Sequence, residues 1–166
     1  MAVITLQGNE IHTHGTVPKL GESAPDFVLV NSELNNVSLK DFENKNKILN
    51  IIPSLDTPVC QKSTKLFNEK VSNFDQTIVL AVSADLPFAM KRFCSLENLN
   101  NIIPLSMMRS RNFAKDYGVL IEDGPLAGIT ARAVVVIDKE NTIIHCQLVS
   151  EIAEEPDYNS ALDSLK

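Results

Sequence analysis

The chain has 166 residues, of which 44% are hydrophobic and 22% charged, with a formal net charge of −6 at pH 7. These proportions are those of a globular chain with enough apolar residues for a core, and the length suits one domain spanning residues 1–166. A net negative charge without a basic cluster speaks against nucleic acid and anionic membranes as partners, and no run approaches the ~20 apolar residues of a membrane span.

Val3–Leu6 and Ile11–His14, on either side of the turn-forming Gln7-Gly8-Asn9-Glu10, predict an N-terminal β-hairpin. A loop from Pro18 to Pro25 precedes a second short strand pair, Phe27–Val30 and Val37–Leu39. The pattern then alternates: strand Ile48–Ile52, helix Pro58–Phe74, strand Thr77–Val82, helix Pro87–Leu96, strand Ile102–Leu105 and a helix around Arg111–Tyr117. Ala131–Ile137 and Thr142–Val149 predict a hairpin across Asp138–Asn141, and Pro156 opens a last helix ending at Leu165. Met1–Thr5 has neither the basic region nor the apolar run of a secretory signal, so a cytoplasmic protein is expected. In that reducing compartment the three cysteines would be thiols, and any disulfide would be transient and catalytic.

Cys60 ends the stretch Pro53-Ser54-Leu55-Asp56-Thr57-Pro58-Val59-Cys60, between a predicted strand and a predicted helix. Thr57 suits the N-cap and Pro58 the first helical position, where its missing N–H costs nothing. Cys60 then falls in the first turn, where unpaired backbone N–H groups and the helix dipole stabilise a thiolate, the reactive form of cysteine. Taken alone, a cysteine in such a chain is most often a small buried hydrophobe; the strand–turn–helix setting favours chemistry instead.

The order of elements resembles the thioredoxin-like fold, an α/β architecture with a mixed central sheet, here with an added N-terminal β-hairpin. A thioredoxin-type oxidoreductase would carry C-x-x-C, whereas this chain reads Cys60-Gln61-Lys62-Ser63, so a partner thiol must come from elsewhere. Pro53, Thr57 and Cys60 fit the P-x-x-x-T-x-x-C pattern of peroxiredoxins. Ser83-Ala84-Asp85-Leu86-Pro87-Phe88-Ala89, followed by Arg92-Phe93-Cys94, resembles the fingerprint of the bacterial thiol peroxidases, a subfamily of atypical two-cysteine peroxiredoxins. Gly128-Ile129-Thr130-Ala131-Arg132-Ala133 is similar to that subfamily's active-site arginine segment, and Glu154-Glu155-Pro156-Asp157-Tyr158 fits its ending.

The resemblance implies a thiol peroxidase acting on hydrogen peroxide and organic hydroperoxides, with no metal, haem or flavin. It implies Cys60 as the peroxidatic cysteine, Thr57 as the hydroxyl contacting thiolate and peroxide, Pro53 as a wall of the pocket and Arg132 as a guanidinium facing Cys60. It further implies Cys94 as the resolving cysteine, a Cys60–Cys94 disulfide within one chain, thioredoxin as reductant and a homodimer. Disulfide geometry needs Cα atoms within ~7 Å, so two thiols on separate helices imply local unwinding. A monothiol, glutaredoxin-like disulfide exchanger and a non-enzymatic redox sensor are the rival readings.

Strand alternation groups Cys146 with Ile144 and Leu148 on one apolar face, an inert setting, and puts His145 on the other. His12 and His14 share a face of the first hairpin, but no Cys or His spacing matches a zinc site. Arg109, Arg111 and the charged run from Glu151 to Asp157 read as surface.

Overall fold

The computed structural model describes residues 1–166. Its centre is a seven-stranded mixed sheet in the order β4-β3-β7-β6-β5-β8-β9. The strands are β3 (Leu29–Val30), β4 (Asn36–Val37), β5 (Asn46–Ile51), β6 (Thr77–Ser83), β7 (Ile102–Ser106), β8 (Ala133–Ile137) and β9 (Ile143–Leu148). β5, β6 and β7 run parallel, joined by α1 (Pro58–Val71) and α2 (Pro87–Leu96); the short α3 (Asn112–Asp116) follows β7, and β8 pairs antiparallel with β5. β1 (Ala2–Leu6) and β2 (Asn9–Thr13) form a separate hairpin. This is a thioredoxin-like arrangement with an added N-terminal β-hairpin.

Period-2 alternation splits the central strands between two faces. Leu49, Ile51, Leu80, Val82, Ala133 and Val135 enter one core with Phe113, Tyr117 and Leu39. Ile48, Val79, Ala81, Val134 and Val136 enter the other, under Phe67 and Val71 of α1 and Ala161 and Leu162 of α4 (Tyr158–Asp163). A fully covered sheet needs apolar residues at every position, hence the unbroken Ala-Val-Val-Val-Ile of β8. Pro104 is tolerated inside β7 because β3 pairs with that strand only at Ser106, leaving the edge at Pro104 open.

Four local expectations change. Leu39–Phe42 is a 3-10 helix rather than the end of a strand, with Asp41 accepting the Ser38 N–H at 2.8 Å. α1 stops at Val71 instead of Phe74, where the Phe74 N–H turns back to the Val71 carbonyl at 2.9 Å and Gln76 takes a positive φ of 55°. The last helix opens not at Pro156 but at Asp157, whose carboxylate caps it by accepting the Ser160 N–H at 3.0 Å. A bulge in β9, where the register shifts opposite Val136 and Ile137, breaks the alternation assumed for Cys146. Cys146 and Leu148 pack on one core and Ile144 on the other.

Candidate active site

β5 delivers the chain to the top of the sheet, and α1 carries it away; the turn between them holds Pro53, Thr57 and Cys60. Thr57 occupies the N-cap with extended backbone (φ −107°, ψ 145°), Pro58 follows, and Cys60 is the third helical residue. The expected side-chain cap does not form. The Thr57 hydroxyl donates instead to the Ser54 carbonyl at 3.0 Å, so the N–H groups of the first turn still point toward the thiol's end of the helix.

Cys60 is fully buried, in an apolar pocket with Ile52, Leu55 and Met90, and Pro53, next to Ile52 in sequence, is buried too. The Cys60 carbonyl accepts two hydroxyls, Ser63 at 3.1 Å and Thr64 at 2.8 Å, both of which also receive the buried amide of Asn50 at 3.4 and 3.3 Å. Hydroxyl back-bonding of this kind weakens and bends a helix, and here it falls on the turn that carries the thiol.

Arg132 enters from the start of β8 and is only 2% exposed. Its Nε–H donates to the Ile152 carbonyl at 2.8 Å, and Nη1, fully buried, has no partner. No carboxylate forms an ion pair with it. Nearby, burial raises the Tyr158 phenol's pKa most and Glu155 raises it further, while Arg132 opposes the rise. The Tyr158 hydroxyl donates to Glu155 at 3.0 Å, its ring meets Phe67 edge-on at 5.2 Å, and Glu155 is bridged to Lys62 of α1 at 3.1 Å. The charge of the run from Glu151 to Asp157 predicts plain surface; Ile152 and Glu155 instead buttress the site. Arg109 and Arg111 stay out of it, bonded to Asn36 and Leu34 and to Gly128 and Met107.

Cys94 is half-buried near the end of α2, against the core that contains Phe67, Val79 and Leu99. Its carbonyl accepts the Leu99 N–H at 2.9 Å, while the Asn98 N–H reaches Ser95 at 3.3 Å and Asn98 itself has φ 55°. That pair of bonds around a left-handed residue is a Schellman motif, and it ends the helix just beyond the cysteine. Burial pushes the Cys94 thiol up to about 11. Both thiols are free; Cys60 lies in one apolar cluster, Cys94 packs against another, and Phe93 packs against both clusters. A cavity of about 320 Å³ between the two helices is lined by Asp56, Gln61, Ala89, Arg92, Phe93, Leu96 and Glu97.

The chain matches the Redoxin family over residues 19–162. It is 47% identical over 165 residues to the thiol peroxidase of Corynebacterium glutamicum, covering 99% of each chain. The chain belongs to the redoxin family, on its thiol peroxidase branch. Among solved redoxin structures, a peroxiredoxin-like protein from Aquifex aeolicus superposes with a TM-score of 0.91 at 42% identity, covering 98% of this chain and 95% of that one. A thiol peroxidase from Chromobacterium violaceum, 23% identical, shares the fold with a TM-score of 0.92 over 98% of this chain and 94% of that one. Two features of this redoxin site lie outside the sequence motifs: the Asn50 bridge and the Ile152 carbonyl. Asn50, a lone amide in the apolar strand Ile48–Ile52, is the legible clue to the first.

Proposed function

We propose that this peroxidase, a single domain over residues 1–166, reduces hydrogen peroxide and organic hydroperoxides at Cys60 and is recycled through Cys94. The Cys60 thiolate attacks the terminal peroxide oxygen and the O–O bond breaks. The leaving alkoxide or hydroxide takes a proton, and sulfur, oxidised by two electrons, becomes a sulfenic acid. The Cys94 thiolate then attacks the Cys60 sulfur, water leaves and the S–S bond forms. A thioredoxin-type dithiol restores both thiols with two electrons.

The observation that carries this reading is a fully buried thiol in the first turn of a helix, in a chain that also buries a guanidinium whose Nη1 has no partner and which makes no ion-pair contact. A cation buried without a fixed counter-ion is costly; a thiolate, and the charge that develops on the leaving oxygen, answer that cost. Thr57, half-buried one turn before Cys60, supplies the hydroxyl that contacts sulfur and substrate in this reading, and Pro53 walls the pocket from water. A homodimer fits the outer face of α2, where Leu86, Phe88 and Leu96 stand exposed.

The test is coupled turnover with thioredoxin, its reductase and peroxide, followed by peptide mapping of the oxidised protein. Many turnovers per thiol and an intrachain Cys60–Cys94 disulfide are expected. Pairing between chains, or of Cys60 with Cys146, overturns the resolving role of Cys94.

A further inference from the structure

Asp85 sits where β6 gives way to α2, two residues before Pro87. Its carboxylate accepts three donors: the Ser54 hydroxyl at 2.7 Å, the Leu55 N–H at 2.8 Å and the Ser83 hydroxyl at 2.7 Å. Its carbonyl accepts the Ser106 hydroxyl at 2.6 Å. Two of the three donors to the carboxylate come from the turn that leads to Cys60, about thirty positions earlier.

From Ser54 the bonding continues to the thiol. The Ser54 hydroxyl oxygen accepts the Asp56 N–H at 3.1 Å, and the Ser54 carbonyl accepts both the hydroxyl of Thr57 at 3.0 Å and its N–H at 3.3 Å. The Thr57 carbonyl then accepts the Gln61 N–H at 3.0 Å, closing the helical turn that contains Cys60. Leu55 meanwhile packs with Met90 of α2 around the thiol. Asp85 therefore ties the base of the helix carrying Cys60 to the base of the helix carrying Cys94.

We propose that Asp85 is a positioning residue for both halves of the reaction, an inference that rests on Cys60 being the peroxidatic thiol. By clamping Ser54 and Leu55 it sets Thr57 and the first turn of α1 in the geometry that attacks peroxide. Because the clamp grips only up to Thr57, it confines the later opening to residues from Pro58 onward and to the far end of α2. A carboxylate suits such a clamp, since bonds to it are shorter and stronger than neutral ones and its two oxygens take all three donors. An asparagine in its place would set an NH2 group against one of these donors; where it meets the Leu55 N–H, which cannot turn to accept, that bond is lost.

A purely structural Asp85 would lower stability and slow both chemical steps alike; a positioning residue splits them. Single-turnover kinetics with hydrogen peroxide read the steps separately, as Cys60 sulfenic acid formation in a Cys94→Ser background and as disulfide formation with Cys94 present. Asp85→Asn is expected to slow the first step at least about tenfold, since small misplacements of reacting groups cost rate steeply. It is expected to leave disulfide formation from the sulfenic acid as fast or faster. Ser54→Ala, which removes one of the three bonds and threatens the fold less, is expected to act in the same direction more weakly. The double variant is expected to match Asp85→Asn alone. A wild-type first step in Asp85→Asn, equal slowing of both steps, or independent multiplication of the two substitutions overturns the clamp. Should Asp85→Asn not fold, a Ser54→Ala variant with both steps unchanged overturns it equally. Absence of sulfenic acid on Cys60 in the wild type is a different failure, and removes the assignment of the thiol itself.

Discussion

Ile152 holds Arg132. The backbone carbonyl of one accepts the Nε–H of the other at 2.8 Å, and this bond aims a buried guanidinium whose Nη1 is left without a partner. A backbone oxygen rather than a carboxylate does the aiming, so the guanidinium is oriented without an ion-pair contact.

Replacing Arg132 should therefore cost chemistry more than folding. Arg132→Met is expected to lower the rate of Cys60 oxidation about 10²-fold, the scale of losing one preorganised donor. Arg132→Lys, which keeps the charge but not the fork, should fall between. Stopped-flow oxidation by hydrogen peroxide checks both; an unchanged rate in Arg132→Met removes the assigned role.

The three cysteines should separate cleanly. Cys60→Ser is expected to abolish peroxide consumption. Cys94→Ser should keep the first turnover, lose the thioredoxin-coupled cycle and accumulate sulfenic or sulfinic acid by mass spectrometry. Cys146→Ser, whose side chain packs on the opposite core from Phe67 and Val79, should leave activity nearly intact.

Burial raises the thiols of Cys94 and Cys146 from an ordinary 9.0 to about 11 each. A raised value in the folded state means that folding favours the protonated form. That stability is fully present below pH 9.0 and is lost as pH rises toward about 11. Urea midpoints under reducing conditions should fall across this window, and less steeply in a Cys94→Ser/Cys146→Ser variant. An identical pH slope in the double variant would contradict it.

Glu151 behaves in the opposite sense. The Thr5 hydroxyl, then the N–H groups of Gly8, Ala153 and Gln7, hold its carboxyl down from 4.5 to about 2. The hold is complete above pH 4.5 and is released as pH falls toward about 2. Glu151→Gln should speed amide exchange in residues 2–13 at neutral pH and lower the peroxidase rate, because the neighbouring Ile152 aims Arg132. Unchanged exchange there would show that the hairpin is held by its apolar contacts alone.

Much of this is legible in the chain because the signals are local. Helix α2 runs Pro87–Leu96 as expected, since Pro87 marks its start and the Asn98 that follows Leu96 and Glu97 marks its end. The placement of Cys60 at a helix start is carried by Thr57 and Pro58 in the same way. What stays hidden acts at a distance or through the backbone. Asp85 meets Ser54 across the sheet ends, and the aiming atom for Arg132 is a carbonyl, which every residue has. The β9 bulge hides the true face of Ile144, because one inserted residue reverses all alternation beyond it. Thr57 is a capping residue by type, yet the nearer Ser54 carbonyl claims its hydroxyl.

The hairpin also dictates when the enzyme becomes an enzyme. Thr5 bonds the carbonyl of Ser150 and receives the N–H of Ile152, and its hydroxyl reaches Glu151 across 146 positions of sequence. Contacts of such separation close late, because the intervening chain must first be ordered. During synthesis, Cys60 and its helix leave the ribosome well before the segment that aims Arg132 exists. If Arg132 serves Cys60 as proposed, a half-made chain carries the thiol before its guanidinium is aimed, and peroxide should meet a slower cysteine until the two ends of the sequence have joined.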